Sequence, residues 1–214
     1  MNTDADKNTG AGLRERQKQE RFNRIIGAAT SQFAVQGIDS TTMANIAREA
    51  GVSTPTVFNY FPSKDELLLA LVVDVHHQTR EKVSRLVPQD YPNRAGAVAG
   101  FLGMYTTMSL AKISRAIWRH VEASCIRIPK SNFVKSYNAL TDEMLGDFQN
   151  FLEQSFGSED QIASEHLDLL GQFIFYHWSA LFVELIRNDS ISEEKHLAQL
   201  HKDFQNFLDL SGLR

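Results

Sequence analysis

An all-α fold is what this chain predicts: an N-terminal three-helix helix-turn-helix domain, then a larger C-terminal helical domain, about nine helices in all. Apolar residues recur at three- and four-residue steps, the spacing that lines one face of a helix. Only 5 prolines and 12 glycines occur in 214 residues, and no proline follows Pro129, so long uninterrupted helices are expected. Hydrophobic content of 43% and aromatic content of 10% suffice for a sizeable core. The expected divisions are a disordered lead at 1–12, a helix-turn-helix domain at 13–64 and a helical domain at 65–214.

The first helix is marked by Phe22, Ile25, Ile26, Ala29 and Phe33, and Gly37 ends it. Ser40 or Thr41 offers a hydroxyl to cap the second, whose stripe is Met43, Ile46, Ala47 and Ala50. Gly51 follows, where a left-handed backbone closes a helix cheaply. Val52 fills the inside of the turn. Ser53 caps a third helix of about two turns, with Pro55 in its first turn, where a missing N–H costs nothing. Pro62 stops that helix, because the residue before a proline disfavours the α region. Val57 and Phe61 face inward, and Thr54, Pro55, Thr56, Phe58 and Asn59 remain outside. Ser63-Lys64-Asp65-Glu66 matches a capping box and opens a fourth helix through Leu67, Leu68, Leu71, Val72 and Val75 to about Val87. Pro88 and Pro92 then mark a break. Further helical patterns follow at about 94–112, 113–127, 131–156, 162–188 and 193–211, punctuated by Pro129, Gly157-Ser158 and Asn188-Asp189-Ser190.

Two short helices joined by a tight turn are the means by which one helix is laid into a DNA major groove. Asn59 can bond an adenine edge in two places, and threonine methyls can meet a thymine methyl. Lys64, at a helix N-terminus, suits a phosphate. Arg14, Arg16, Lys18, Arg21 and Arg24 form a basic arm suited to phosphates or a minor groove, or a solvated helix face. Residues 1–64 hold 8 Lys+Arg against 6 Asp+Glu, a balance of +2, and residues 65–214 hold 14 against 20, a balance of −6. DNA affinity is therefore expected to be salt-sensitive and confined to one face.

These residues resemble the TetR/AcrR family of bacterial transcriptional regulators. The matching words are Thr41-Thr42, Ile46-Ala47, Ala50-Gly51-Val52-Ser53, Thr56, Tyr60-Phe61 and Ser63-Lys64. The resemblance implies a homodimer with an N-terminal DNA-binding domain and a C-terminal domain that binds a ligand and dimerises. It also implies repression of a palindromic operator, relieved by a small-molecule effector. It makes Ser53–Tyr60 the recognition helix and gives Thr41, Thr42, Tyr60 and Lys64 to the DNA backbone. The implied DNA-binding set is thus Thr41, Thr42, Ser53, Thr54, Pro55, Thr56, Phe58, Asn59, Tyr60 and Lys64. Pro55 stands where a glycine is common in the family. Phe58 stands where a tyrosine is common, so one hydroxyl that meets a phosphate is absent.

In the second domain, Phe173 to Val183 is apolar on every side and must be covered on every side. Leu197, Leu200, Phe204, Phe207 and Leu208 give the last helix a clean stripe. A two-fold interface built from Phe175, Trp178, Phe182, Leu200, Phe204 and Phe207 follows, as the family implies. A cavity for an apolar or aromatic ligand is expected from Phe101, Tyr105, Met108, Trp118, Phe148 and Phe173, with Glu122 and His177 as polar anchors. Met104, Ile117, Phe151, Arg119 and Asn138 are secondary candidates. The same stripes serve equally as packed core.

Other functions find less support. No Gly-rich phosphate loop, His-Glu-x-x-His or Gly-x-Ser-x-Gly motif occurs, so no enzyme is expected. His120 and Cys125 are five apart and point about 140° from each other on one helix. No His pairs with another His or Cys at i, i+4, so no metal is expected. No cofactor is implied. One cysteine excludes an internal disulfide, and residues 1–21 lack an apolar leader. The run Phe173–Val183 is too short for a bilayer, so a cytoplasmic location without membrane contact is expected. The alternative function is a DNA-binding regulator controlled by a protein partner or a metal.

Overall fold

The computed structural model describes residues 5–156 and 163–211, with side chains from Gly12 onward. Among the described residues there are nine α-helices, one 3-10 turn and no strand. The chain divides into two compact units, Met1–Leu71 and Val72–Arg214.

The first unit holds α1 (Ala5–Ser40), α2 (Met43–Ala50), α3 (Thr54–Tyr60) and the start of α4 (Lys64–Val83). α1 is broken at Gly37, whose φ of 79° lies in a region glycine enters freely. Its helical backbone includes residues 5–12, expected as part of a disordered lead. Once a helix is nucleated, each further residue adds one hydrogen bond at little cost. Residues 1–4 of that lead lie outside the described residues. Ile25, Ala29 and Phe33 of α1 are buried with Ile46 and Ala47 of α2 and Val57 of α3. The unit extends beyond the expected boundary at residue 64, because Leu67, Leu68 and Leu71 in the first turns of α4 are buried as well.

The second unit holds the rest of α4, a 3-10 turn (Pro88–Asp90), α5 (Arg94–Lys112), α6 (Arg115–Arg127), α7 (Asn132–Phe156), α8 (Ser164–Arg187) and α9 (Glu193–Ser211). Four of these helices open on a side-chain or loop cap of the expected kind, among them Asn93 accepting from Gly96 N and Ser114 accepting from Ile117 N. α4 ends at Val83 rather than near Val87. The loop before Pro88 turns first, through bonds from Arg85 N to Lys82 O and Leu86 N to Val83 O. The expected break at Gly157-Ser158 lies outside the described residues. Gly100 admits the Tyr91 ring against α5: a Cβ there would stand 2.4 Å from Tyr91 Cε1.

α5, α8 and α9 are pinned together by a buried polar chain. Trp178 Nε1 donates to Thr106 Oγ1 at 3.0 Å, and that hydroxyl lies 3.1 Å from His196 Nε2. With the indole donating to it, the threonine proton is free for His196, which assigns Nε2 as an acceptor and the imidazole as neutral. Burial depresses the His196 pKa to about 4.

The folded-state value lies below the ordinary 6.5, so the unfolded chain takes up this proton first as pH falls. The stability tied to neutral His196 is fully present above pH 6.5 and is lost between about 6.5 and about 4. Urea unfolding at stepped pH should show the wild type losing up to about 3 kcal/mol more than His196→Gln across that window. Parallel pH profiles would contradict a neutral, buried His196.

Candidate functional site

The helix-turn-helix is assembled from caps and a small core. Thr42, not Ser40 or Thr41, caps α2: its hydroxyl accepts from Asn45 N at 3.1 Å. Met43, Ile46, Ala47 and Ala50 are the buried face of α2, as their spacing predicts. Gly51 closes it at φ 65°, and Val52 is half-buried in the turn. Ser53 caps α3 by accepting from Thr56 N at 3.2 Å, and Pro55 sits in the first turn. Val57 and Phe61 point into the core, with Phe61 5.3 Å from the Phe22 ring.

The outward side of α3 is open to solvent. Pro55, Phe58 and Asn59 are exposed, and Asn59 makes no hydrogen bond with its side chain among the described residues. Thr54 is half-exposed beside them. Ser53 and Thr56 are partly spent, their hydroxyls 2.7 Å apart within the cap.

Three residues expected at the DNA backbone are otherwise engaged. Thr41 is 1% exposed and donates to Gly37 O at 2.7 Å, so it ties the end of α1 rather than facing DNA. Lys64 Nζ donates to Ile38 O at 2.8 Å and Asp39 O at 3.3 Å. Carbonyls at the end of α1 are left without intrahelical partners and attract a cation, so the ammonium is held there. The Tyr60 hydroxyl donates to Lys18 O at 3.3 Å. Thr42 stays exposed, and Arg14, Arg16, Lys18, Arg21 and Arg24 line the exposed side of α1.

The second unit contains a cavity of about 220 Å³. Its wall is built from one stripe per helix. α4 supplies Val72, Val75, His76 and Thr79; α7 supplies Tyr137, Leu140, Thr141 and Met144; α8 supplies Phe175, Trp178, Ser179 and Phe182. Each set follows the i, i+3, i+4, i+7 spacing of one helix face. α6 adds Trp118, Glu122 and Cys125, and α5 adds Tyr105 and Ser109. Asn138 also reaches it. The rings interlock: Trp118 meets Phe182 edge-on at 5.4 Å, and Trp178 stacks on Phe182 at 5.8 Å.

The cavity's polar groups are few and poorly satisfied. The Tyr105 hydroxyl and His76 Nε2 are buried without hydrogen-bond partners. Glu143 Oε2 approaches His76 Nε2 only to 3.5 Å, too long for a good bond. Burial depresses the His76 pKa and raises that of Tyr105. Glu122 accepts from the Tyr137 hydroxyl at 3.2 Å, yet burial raises its carboxyl above the usual range. Beside the cavity wall, Arg80 of α4 is held by Glu143 at 2.8 Å and Asp147 at 2.6 Å of α7.

Of the residues expected at a ligand site, the cavity gathers Tyr105, Trp118, Glu122 and the secondary candidate Asn138. Phe101 and Phe148 instead pack ring to ring at 5.4 Å, with Phe151 4.8 Å from Phe101. Met108 is buried beside Lys82, whose ammonium lies 3.0 Å from its sulfur. Ile117 is core, Met104 lies half-buried away from the cavity wall, and Arg119 reaches Ile186 O and Asp189. Phe173 is 61% exposed and His177 pairs with Asp203 on the surface. Conversely, Phe175, Trp178, Phe182, Leu200 and Phe204, expected between two copies, are buried within this chain. Phe207 alone of that set is exposed, and it shares a groove with Phe173, His177 and Leu210. α8 is apolar all round, and its periodicity does not say which side meets its own core. His76, Thr79, Cys125, Tyr137, Thr141 and Met144 were missed, although the shared spacing on α4 and α7 would have found most of them.

Burial raises the Cys125 thiol to about 11, the opposite of an activated nucleophile. Among the described residues no group of three or more His, Cys, Asp or Glu is placed to hold a metal. By length and composition α8 could cross a bilayer, a possibility the shorter run Phe173–Val183 did not show; nearly half of its apolar window is buried in the protein.

Residues 25–71 match the family model of bacterial regulatory proteins, tetR family. The chain is 39% identical over 69 residues to the HTH-type transcriptional regulator HbdR of Aromatoleum sp. (strain CIB), covering 32% of this chain and 30% of that protein. It is 32% identical over 113 residues to the HTH-type transcriptional regulator BetI of Escherichia coli O139:H28, covering 51% and 57%. The chain therefore spans less than two thirds of either relative. In fold it is similar to the transcriptional regulator FadR of Bacillus subtilis, solved in complex with stearoyl-CoA, with a TM-score of 0.63 at 17% identity over 87% of this chain and 97% of that one. The likeness to the TetR family in sequence thus rests on residues 25–71, and the rest of the chain is similar to such regulators in fold.

Two substitutions separate reading from holding. Asn59→Ala should weaken binding to a selected DNA site by about 1–3 kcal/mol and non-specific binding far less, measured by fluorescence anisotropy on both DNAs. Equal losses would remove Asn59 from base reading. Lys64→Ala should lower unfolding stability by about 1 kcal/mol in urea titration, because it frees α1's last carbonyls. Unchanged stability would show that the ammonium is not needed there.

Proposed function

We propose that this protein is a homodimeric transcriptional repressor acting in the cytoplasm. It binds an inverted-repeat DNA operator through α2 and α3 and leaves it when a small molecule, largely apolar or aromatic, fills the cavity of the second unit. The observation that carries the reading is the outward face of α3. Phe58 and Asn59 are held outward, beside Pro55 of the first turn, by the buried pair Val57 and Phe61 and have no task within the fold.

Release by a ligand is supported by the cavity and by α4. Val72, Val75, His76 and Thr79 form one wall of the cavity, and the same helix begins at Lys64, bound to the end of α1. A ligand that fits the cavity only when this wall shifts would favour the unbound state of the DNA domain. The similar FadR structure holds a bound acyl-CoA. Dimerisation is supported by the exposed apolar face of α8 and α9, where Phe173, Tyr176 and Leu210 are 61%, 62% and 89% exposed. Contiguous apolar patches of this kind mark contact surfaces, and a two-fold dimer presents two recognition helices to paired half-sites.

Selection from a random duplex library with the full-length protein at moderate salt should enrich an inverted repeat with half-site centres about 10 base pairs, or a multiple, apart. Absence of any enriched sequence, with the protein folded, would overturn the reading as a sequence-specific regulator.

A further inference from the structure

The structure assigns the cavity of the second unit to a small organic cation: an ammonium or amidinium head on a compact aromatic or apolar body. This deepens the proposed function and rests on its reading of the cavity as the effector site.

Charge decides the class. Among the described residues Glu122 is the only acid lining the cavity, and no Lys or Arg lines it. Arg187, whose field reaches Glu122, is not among the lining residues. Nearby, Arg80 is already matched by two carboxylates, Glu143 and Asp147. An anionic ligand would enter a pocket that offers it no cation. A cation would meet a carboxylate whose Tyr137 bond leaves other lone pairs open.

The remaining polar atoms point the same way. The Tyr105 hydroxyl and His76 Nε2 are buried, unpartnered and lie on this wall. Burial depresses the pKa of His76, and only the Glu143 carboxylate, at 3.5 Å, stands near its Nε2. An N–H donor head can bond the open lone pairs of Glu122 and the Tyr105 hydroxyl; a purely apolar ligand leaves the Tyr105 hydroxyl and His76 Nε2 unpaired. Aromatic faces supply the rest. Trp118, Trp178, Phe182 and Tyr137 present π-surfaces, and such surfaces attract cations most strongly where water is excluded. Size limits the body: about 220 Å³ falls below the roughly 300–1,000 Å³ of drug-sized pockets.

Both tryptophans of the chain, Trp118 and Trp178, line this cavity, so intrinsic fluorescence reports its occupancy. The probes are three molecules of one shape: 2-phenylethylammonium, neutral 2-phenylethanol and the anion 3-phenylpropanoate. Titrated into the full-length protein, the ammonium should bind at least tenfold more tightly than the alcohol, and the carboxylate more weakly than either. Glu122→Gln should remove the preference for the ammonium and leave the alcohol's affinity within about twofold, with circular dichroism confirming the fold. Tyr105→Phe should weaken the ammonium several-fold. Equal or tighter binding of the alcohol or the carboxylate to the wild type, no binding of the ammonium, or a preference that survives in Glu122→Gln would each overturn the assignment. The proposed function is tested apart from it, by release of the selected DNA. Release by the alcohol or the carboxylate but not by the ammonium would leave the ligand-responsive regulator standing and end the cation assignment.

Discussion

A helix of seven residues has no stability of its own, and the first unit is organised around that fact. Isolated helices shorter than roughly 12–15 residues are marginal in water, yet α3 spans only Thr54–Tyr60. It exists because the Ser53 hydroxyl caps it, Pro55 fixes its first turn, and Val57 and Phe61 anchor it among α1 and α2. Polar side chains around it are spent on the same task. Thr41 ties Gly37, Tyr60 reaches Lys18, and Lys64 neutralises the end of α1. The outward face of α3 is rigid because everything behind it is committed to holding it.

The second unit is governed by the opposite condition, a place where close packing stops. Four helices turn equivalent stripes toward one point, and their large rings meet each other before they can fill it. Buried polar groups normally find partners. Here the Tyr105 hydroxyl and His76 Nε2 do not, whereas Trp178, Thr106 and His196 nearby form a fully bonded chain. The contrast within one core separates groups that hold the fold from groups that the fold leaves unpaired.

Much of the fold was legible because it is local. Periodicity, Gly51, Ser53 and the prolines set helix limits within a few residues, and the bounds of α5, α6, α7 and α9 follow their expected spans closely. What was not legible depends on direction. Trp178 and Phe173 lie five residues apart on α8, a helix apolar on all sides, and nothing local says which of them faces the chain's own core. Trp178, expected at an interface, is buried and lines the cavity, whereas Phe173, expected in the cavity, is exposed. Thr41 and Lys64 show a second limit: a residue type suited to phosphate is equally suited to a bare carbonyl, and only the folded chain shows which lies within reach. Tyr105, Trp118 and Glu122, expected at a cavity from their chemistry and spacing, do line one.

Because Phe58 and Asn59 carry no folding task, substitutions there fall among surface changes that alter stability by only about 0.5 kcal/mol. The outward face of α3 is thereby uncoupled from the contacts that make the chain fold. A lineage carrying this architecture can change what that face displays while the machinery behind it stands still, and inheritance of the scaffold places little constraint on the residues it shows.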